Sequence, residues 1–586
     1  MSSQQTRTLD VQTLMGPESL AKAIANNFVQ WHSMRSQWLR GVNEVRNYVF
    51  ATSTRTTSNS QLPWKNSTTI PKLCQIRDNL HANYMAALFP NADWLEWEGA
   101  NKDAVAASKA RVIESYMENK LNASGFEDTV ERLLLDWIDT GNCFATADYV
   151  TGNRTSKDGV QTPGYTGPKA LRISPFDIVF NPTAVDFEST PKIIRTLRSL
   201  GELKKDLMNN PDDKAAAQAF DKMINARTNA KGNVLTDTLK DGGYQVDGFG
   251  SWSDYLNSDT VEILTFYGDL FDMETGTLYE NHIISVCDRS YVLEKKPNPS
   301  WLGKDMFFHH GWRKRPDNIY AMGPLDNLVG MQYRIDHLEN LKADAFDMIA
   351  FPVITVTGEC EHFDYKPGEK IFLGDNGSVQ FLHPDTAALA ADNQIGLLEM
   401  KMEQMAGSPK EAMGIRTPGE KTAYEVQQLE SAAGRMFQNK VLSFEREFLT
   451  KLLNGMLEVG RRSMTTPEDI KVMSSDIDVA IFQTVNKDDL HASGKIYPVG
   501  ASHFAKRANY IQNLTQFMNT IGADPQVKVH LSGKALAQTI ETILDEDKFT
   551  IYGENIRIFE AMETQRLQQS GEEEVAVEGQ TDGLHS

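Results

Sequence analysis

The sequence predicts an α+β fold built from several substructures, and three observations support this prediction. At 586 residues, the chain exceeds the size at which one hydrophobic core keeps growing. Segments with alternating apolar residues, which predict β-strands, are interspersed with segments whose apolar residues recur every three or four positions, which predict helices. In residues 322–462, helices flank a short β-rich module. We therefore expect a mixed α and β body from which a pair of helices projects.

Most of the predicted secondary structure precedes residue 320. Apolar residues at three- and four-residue steps, such as Leu20, Ile24 and Phe28, predict helices. The predicted helices are residues 16–50, 70–88, 102–124, 126–140 and 203–230. Alternating patterns predict strands at residues 145–150, 170–181, 261–270 and 282–287. Beyond the central region we expect a strand at residues 474–482 and helices at 502–521, 533–544 and 556–568, followed by a disordered acidic tail.

The central region predicts a stalk that carries a small head. A helix over residues 325–349 leads into a β-rich module at 351–384, and a second helix at 386–405 returns. A loop broken by Gly and Pro follows at 407–419, before a long helix at 422–462. The module is predicted to hold strands at residues 353–357, 370–373 and 379–382. So small a module needs partners at its strand edges.

Both stalk helices carry an apolar stripe. The stripe of the first helix is Leu325, Leu328, Met331, Ile335, Leu338, Leu341, Ala345 and Ile349, and that of the second is Ile395, Leu398, Met402 and Met405. On the second helix, Asp392, Glu399 and Glu403 are spaced by seven and four residues and share a face. We expect the stripes to pack together and the acids to face outward.

Composition bounds the class of protein. Hydrophobic residues make up 40% and charged residues 24% of the chain, as in soluble globular proteins. No run of about 18 apolar residues predicts a membrane span, and the first residues, MSSQQTRTLDVQ, do not match a signal peptide. Cys74, Cys143, Cys287 and Cys360 are widely spaced, so neither a disulfide framework nor a zinc ribbon is predicted. We expect a soluble protein made in a reducing cytoplasm.

Two stretches of the central region resemble one family closely. GPLDNLVGMQYRIDHLENLKADAF on the outgoing helix and GIRTPGEKTAYEVQQLESAAGRMFQ after the loop resemble the portal proteins of short-tailed bacteriophages, as does the earlier phrase SPFDIVFNPTA. The resemblance extends from WKNSTTIPKL to GASHFAKRANYIQNLTQF. It implies a portal fold, with a mixed α/β wing, a two-helix stem, a small β-rich clip, a long wing helix and an α-helical crown. The implied order is wing 1–320, stem helices 321–350 and 386–406 around clip 351–385, tunnel loop 407–421, long helix and wing return 422–499, crown 500–568 and acidic tail 569–586.

The resemblance also implies a function. Portal proteins of this kind form a dodecameric ring at one capsid vertex of the virion, nucleate head assembly in the host bacterial cytoplasm, and conduct double-stranded DNA during packaging and ejection. The implied partners are the terminase large subunit, a tail adaptor protein, and the major capsid and scaffolding or internal core proteins. ATP hydrolysis would belong to the terminase. We therefore expect neither enzymatic activity, nor a cofactor, nor a metal, nor a membrane partner for this chain.

Three groups of site residues follow from the resemblance. The tunnel loop would present Lys410, Arg416 and Lys421 to DNA. The channel would be lined by the acids Asp392, Glu399 and Glu403. The clip would dock the terminase and the adaptor through Glu361, Asp364, Lys366, Lys370 and Asp375.

Net charge does not separate the candidate functions. At −20, the chain lacks the basic balance typical of proteins that grip DNA, although an acidic conduit would keep a duplex centred by repelling its phosphates. One alternative is another ring-forming head–tail connector or adaptor. The other is an acidic cytoplasmic enzyme with a helical hairpin insertion, although no catalytic motif is recognisable.

The loop contains a near match to a phosphate-binding P-loop. Gly414, Gly419, Lys421 and Thr422 approximate the motif, but Glu420 is inserted and the preceding segment is helical where the motif needs a strand. An acidic residue in the anion cradle also opposes phosphate. We expect no ATP binding.

Two other groups have open interpretations. HHGWRKRPDN, at residues 309–318, is a strongly basic segment that suits either nucleic acid or, as we favour in an acidic chain, ion pairs between subunits. Cys360, His362 and His383 fit no zinc spacing well, so structural roles are expected for them.

Overall fold

A computed structural model of the chain describes residues 8–12, 16–51, 66–89, 94–99, 104–155, 161–184, 186–209, 214–232, 260–301, 306–359, 371–374, 376–382, 390–407, 436–473, 480–491 and 494–498. All of these lie in one compact unit, Met1–Ala501. The second unit, Ser502–Ser586, lies outside the described residues, and so do the three helices and the acidic tail that the sequence predicts there.

The described chain mixes helices and strands, as the α+β prediction requires. The helices are α1 Pro17–Met34, α2 Ser36–Val49, α3 Lys72–Leu88, α4 Ala104–Ser124, α5 Phe126–Thr140, α6 Leu200–Asn209, α7 Lys214–Gly232, α8 Val329–Ala350, α9 Asp392–Ala406 and α10 Thr450–Ser463. The strands are β1 Thr8–Val11, β2 Leu95–Gly99, β3 Asn142–Thr155, β4 Gln161–Ile173, β5 Ile178–Phe180, β6 Lys192–Ser199, β7 Thr260–Asp272, β8 Thr277–Cys287, β9 Tyr291–Pro297, β10 Phe307–Gly311, β11 Arg313–Arg315, β12 Asn318–Met322, β13 Val353–Thr357, β14 Ser378–Leu382, β15 Glu468–Met473, β16 Ala480–Val485 and β17 Gly494–Pro498.

The helix predicted over residues 16–50 is interrupted at Arg35, which separates α1 from α2. The Arg35 side chain is buried, and its guanidinium donates to the carbonyl oxygens of Pro175 (2.8 Å) and Ile178 (2.6 Å). A buried guanidinium needs acceptors for its donors, and these carbonyls supply them. The break therefore fixes both helices to the loop before β5.

A six-stranded sheet forms one side of the described body. Its strands run in the order β5-β6-β7-β8-β9, and β1 pairs in parallel with the end of β7. Helix α1 covers this sheet, because Leu20, Ile24 and Phe28 are buried in one cluster with Leu264 and Phe266. The three-residue and four-residue spacing of the α1 positions puts them on the side that faces the sheet.

A second, larger core joins the helices to a three-stranded sheet of order β10-β3-β4. Trp137 of α5 lies at its centre, with its ring centroid 5.2 Å from that of Tyr84 and 4.9 Å from that of Phe444. β17 pairs with β2, which ties residues 494–498 to residues 95–99. Residues that are far apart in the sequence therefore pair and pack together in the body.

The long helix predicted over residues 422–462 is described from residue 436 to residue 463, and it includes a π-helical turn at Glu445–Leu449. Phe444, Phe448, Leu452 and Met456 recur every four residues along this part and are fully buried, so they form its core-facing stripe. Residues 422–435, about the first third of the predicted helix, lie outside the described residues. Of the strand predicted at 474–482, residues 480–482 lie in β16, which pairs antiparallel with β15, and residues 474–479 lie outside the described residues.

Segment 307–322, which contains the basic residues singled out from the sequence, folds into strands that the sequence analysis did not predict. β10 pairs with β3, and β11 with β12 forms a tight hairpin across residues 316–317. Alternation along this segment is obscured because histidine, tryptophan and arginine occupy positions where an apolar residue would mark an inward face. The basic segment therefore has a fixed backbone against the body.

Candidate functional site

Helices α8 and α9 form an antiparallel pair that we call the stalk. Lys342 of α8 lies 2.6 Å from Asp392 at the start of α9, measured from Nζ to Oδ1. One level closer to the body, Gln332 of α8 and Glu403 of α9 both contact the first residues of α3. Lys342 and Gln332 are ten residues apart on α8, and Asp392 and Glu403 are eleven residues apart on α9. The two contacts are therefore separated by about 15 Å along each helix axis. The predicted outgoing and returning helices are present. The first begins at Val329, four residues later than predicted, and residues 386–389 at the predicted start of the second lie outside the described residues.

Strands β13 and β14 form a two-stranded antiparallel ribbon at the far end of the stalk. Their register runs from Val353 opposite Leu382 to Thr357 opposite Ser378. Two of the three strands predicted for the module are thus present, whereas residues 371–374 contain only a single bridge residue, Leu373. Within the described residues neither strand has a neighbour on its outer edge. An isolated two-stranded ribbon is marginally stable in water, so such edges are ready to accept another strand.

The far part of the stalk exposes large apolar side chains, each between 38% and 63% accessible. We call this set the distal apolar surface: Leu341, Phe346, Met348, Phe351, Val353, Phe372, Leu373, Phe381, Leu382, Leu397 and Met400. Near the body, by contrast, Ile335 and Met402 of the predicted stripes are fully buried. Most of the exposed large apolar side chains in the described chain lie in this one region. Clusters of this kind mark interaction surfaces.

The three predicted channel acids do not share one exposed face. Asp392 is exposed and Glu399 is half-buried, but Glu403 is buried at 8% exposure. Its Oε1 accepts from Nζ of Lys72, which is itself 4% exposed, at 2.6 Å. The prediction that these acids face outward is therefore wrong for Glu403. Helix periodicity placed the three acids together correctly, but the start of α3 covers the end of α9 that carries Glu403.

Extended residues 66–70, which we call the strap, run along α8 and lead into α3. Polar side chains at four-residue intervals on α8 hold the strap, and we call them the polar ladder: Gln332, Asp336, Asn340 and Asp344. Alternate residues of an extended chain are about 6.6 Å apart, and four residues of a helix rise about 6 Å. This near match lets one face of a helix bond successive main-chain groups of a strand.

The ladder side chains accept hydrogen bonds from strap amides and donate hydrogen bonds to strap carbonyl oxygens. The strap amides of Asn66, Thr68 and Ile70 donate to Asp344 (2.9 Å), Asn340 (2.8 Å) and Asp336 (3.1 Å), and the carbonyls of Thr68 and Ile70 accept from Asn340 (2.8 Å) and Gln332 (2.5 Å). Burial raises the pKa of Asp336, although three donors to its carboxylate oppose this rise. The sequence analysis missed the ladder. Four polar residues at four-residue spacing on one face of the helix were its signal.

The predicted DNA-facing and docking residues cannot be placed. Lys410, Arg416 and Lys421 lie outside the described residues, as do Glu361, Asp364, Lys366, Lys370 and Asp375. The two ends of the segment that carries the first group do meet. Gly407 has a φ of +75°, and a Cβ added to it would lie 2.5 Å from Cε of Met436. Residues 408–435 therefore leave and rejoin the described chain at one point.

The basic hairpin, which carries Arg313, Lys314 and Arg315, lies against the long helix, which carries Lys440 and Lys451. Lys314 pairs with Glu447, and Lys451 pairs with Glu188. Arg313 and Lys440 instead lie over the ring of Trp312, at 5.2 Å and 4.4 Å from its centroid. Lys440 also donates to the Trp312 carbonyl oxygen. No carboxylate of the described chain forms an ion pair with either Arg313 or Lys440.

Titration behaviour points to a positive potential around this hairpin. Burial lowers the pKa of Lys440, and the charges of Arg313 and Lys314 lower it further. Burial also lowers the pKa of His310 to about 3, with Lys314 and Lys440 contributing. His309 behaves in the same way, with a pKa of about 3, and its Nε2 lies 3.0 Å from Oδ1 of Asn142. Both histidines are therefore neutral at neutral pH.

Neither a metal site nor a membrane-spanning helix is present among the described residues. No group of three or more His, Cys, Asp or Glu side chains there is arranged to hold a metal ion. Cys360, His362 and His383 lie outside that part of the chain. No described helix is long and apolar enough to cross a membrane.

Comparison with known proteins adds no relative. No protein-family model matches the chain, and no curated protein matches it significantly.

Proposed function

We propose that this chain is a portal protein of a short-tailed bacteriophage. In this proposal twelve copies form a ring at one capsid vertex, which conducts duplex DNA during packaging and ejection. The ring nucleates head assembly with the capsid and scaffolding or internal core proteins. It docks the terminase large subunit and later the tail adaptor. The chain itself has no catalytic role, and ATP hydrolysis belongs to the terminase.

The distal apolar surface is the observation on which this proposal rests most. A subunit that worked alone would expose these phenylalanines, leucines and methionines to water, at a cost of roughly 25 cal/mol for each Å² of apolar area. They lie on both helices and on the ribbon, for example at Phe346, Phe381 and Leu397. A stalk with apolar side chains on all of its elements is suited to neighbours on more than one side.

The ribbon favours a ring over a closed pair. Its two outer edges belong to different strands, β13 and β14, so one edge can accept the unlike edge of the next copy. Head-to-tail contacts of this kind close into rings when the rotation between copies allows it. The family resemblance stated from the sequence supplies the ring number and the capsid setting.

The charge of the chain is compatible with a conduit. A net charge of −20 on each copy would make the wall of a ring repel phosphates, so that a duplex slides without being held. Asp392 and Glu399, which are exposed and half-buried, remain candidates for the lining of such a channel. Glu403 is not a candidate, because it is buried against Lys72.

Two alternatives make different predictions. Another ring-forming connector or adaptor would also use the distal apolar surface for assembly, but it would join preformed heads and would not nucleate them. An acidic enzyme with a helical hairpin insertion would be active without forming a ring.

Negative-stain electron microscopy of the purified full-length chain tests the proposal. Rings with a central hole are expected, whereas compact monomers at all concentrations would overturn it. Co-expression with the capsid and scaffolding proteins then separates the two ring-forming candidates. Loss of correctly sized heads when the chain is omitted supports a portal, and unchanged head formation supports a connector.

A further inference from the structure

Trp312 anchors two cations that have no acidic partner among the described residues. Arg313 follows it on the β11–β12 hairpin, and Lys440 comes from the long helix. Stacking over an indole ring holds a cation in place without neutralising it, because the attraction comes from the ring quadrupole. Trp312 itself is 2% exposed, so its position is fixed by the core. We call Arg313 and Lys440 the Trp312 cation pair.

The surrounding charges leave this pair unneutralised. The nearby cations Lys314 and Lys451 already pair with Glu447 and Glu188. The carboxyl group of Asp326 is close enough for Arg315 and Arg313 to lower its pKa, but burial outweighs them and raises it, and Asp326 forms no ion pair with Arg313. Among the described residues this leaves a local excess of positive charge, which in a chain of net charge −20 favours an anion from outside the subunit.

We propose that the Trp312 cation pair binds carboxylates on the surface of a neighbouring copy of this chain. This inference rests on the proposed ring and adds to it a contact in the body, separate from the distal apolar surface. Each subunit in the ring gives its Trp312 cation pair to one neighbour and receives the other neighbour's pair on an acidic face. Copies that would otherwise repel one another are thereby drawn into register.

The shape of the site favours a carboxylate side chain over nucleic acid. Arg313 and Lys440 are both half-buried, so their charged groups lie close to the protein surface. An aspartate or glutamate can reach down to such groups, whereas the phosphates of a duplex lie on a convex cylinder and are met by projecting side chains. Of the exposed cations of the region, Lys314 and Lys451 are already paired with carboxylates within the subunit, and Arg315 donates from its Nε to the Tyr320 carbonyl oxygen.

Zero-length cross-linking of the assembled wild-type protein tests the contact without any variant. Copies labelled with ¹⁵N and unlabelled copies are co-assembled, treated with a carbodiimide that joins lysine amines to carboxylates, and digested for mass spectrometry. We expect Lys440 to be joined to an aspartate or glutamate, with half of the joined peptides carrying mixed labels. Cross-links from Lys440 that never mix labels would overturn the proposal.

A pair of matched double variants measures the contribution. Arg313→Gln with Lys440→Gln and Lys314→Gln with Lys451→Gln each change the net charge to −22 (−20 − 2). The first should raise the concentration for half-assembly about tenfold and reduce its dependence on salt, as expected for two lost ion pairs. The control should leave both nearly unchanged, because its lysines are paired within one subunit.

The outcomes separate this inference from the proposed function. If wild-type protein forms no ring, the proposed function fails. If rings form but Lys440 is cross-linked only within its own chain, or if both double variants assemble like wild type, this inference alone fails. If the first double variant assembles normally but its rings bind duplex DNA more weakly in fluorescence anisotropy, the pair contacts nucleic acid and the proposal is wrong.

Discussion

Lys72 and Glu403 form a buried ion pair, with Nζ of the lysine 2.6 Å from Oε1 of the glutamate. Lys72 is the first residue of α3, which packs in the main core, and Glu403 lies in the last turn of α9. The ion pair therefore fixes the end of the stalk to the body. Removing one partner from such a pair leaves the other charge buried and unmatched.

Glu403→Ala should lower the free energy of unfolding by about 3–5 kcal/mol, the range for breaking a buried pair. Asp392→Ala is the control, because Asp392 is exposed in its pair with Lys342 and its loss should cost less than about 1 kcal/mol. Urea denaturation of the unassembled protein measures both. If the two substitutions lowered the free energy of unfolding by the same small amount, Glu403 would be accessible to water, as its predicted place in the channel lining required.

Phe448→Asp should unfold or severely destabilise the chain. Phe448 is fully buried in the main core, with its ring centroid 5.0 Å from that of Phe444, so the substitution buries an unpaired charge. The expected loss is several kcal/mol, roughly the largest class of single-site effects. Leu278→Asp, at an exposed position of β8, should leave the thermal midpoint nearly unchanged. Soluble Phe448→Asp protein of wild-type thermal stability would show that the core is misplaced.

Phe381→Asp should block assembly and leave the subunit folded. Phe381 is 51% exposed on β14, so an aspartate there meets water in the free subunit but faces an apolar neighbour in a ring. Analytical ultracentrifugation should show subunits in place of rings, with circular dichroism unchanged. Met273→Asp, exposed in the turn between β7 and β8, is the matched control and should assemble normally. Rings of wild-type stability in Phe381→Asp would remove the distal apolar surface from the assembly contacts.

Stability should fall as the pH is lowered below about 6.5, the ordinary histidine pKa. The pKa of His310 in the folded chain is about 3, so between these two values the unfolded chain binds more protons than the folded one. The free energy of unfolding therefore decreases toward acid by up to about 1.4 kcal/mol per pH unit for this group. Urea denaturation at pH 7 and pH 5 should show a smaller decrease for His310→Gln than for wild type.

The control for this pH dependence is His491→Gln, at an exposed position. The free energy of unfolding of this variant should decrease between pH 7 and pH 5 by the same amount as that of wild type. An unchanged decrease in His310→Gln would show that other groups cause it. His309, whose pKa is also about 3, is the next position to substitute.

Arg416→Glu combined with Lys410→Glu should affect DNA and leave assembly alone. In the proposed ring these cations face a duplex that carries a phosphate about every 1.7 Å, and their weak contacts slow its exit. Rings and capsids should form as in wild type, while the heads retain less DNA, measured by the absorbance ratio of purified particles. Heads that fill and hold DNA normally, or rings that fail to form, would show that this loop does not face the DNA.

Sequence patterns predicted the features that depend on residues close together in the chain, such as helices. The apolar stripe of α8 predicted a helix, and the buried residues Leu328 and Ile335 lie on it. The same stripe could not show that Leu341, six residues after Ile335, is exposed, because a repeat does not mark where a helix leaves the body. Exposure of this kind depends on packing partners elsewhere in the chain.

Contacts between distant residues account for the main error in the predicted site. Lys72 is 331 residues from Glu403, so nothing near Glu403 in the sequence indicates that it is covered. The basic hairpin raised the same difficulty, since the partners that neutralise Lys314 and Lys451 come from other elements. Helical periodicity assigned faces, and only the tertiary fold decided which faces meet water.

The polar ladder of α8 has a consequence for how freely the strap can vary. The ladder reads peptide groups, and at Thr68 both bonds involve only the main-chain nitrogen and oxygen. Nineteen of the twenty amino acids offer the same two groups, and only proline lacks the donor. Position 68 can therefore hold any side chain except proline. A position that looks unremarkable in the sequence is thus constrained only by the one residue that it excludes.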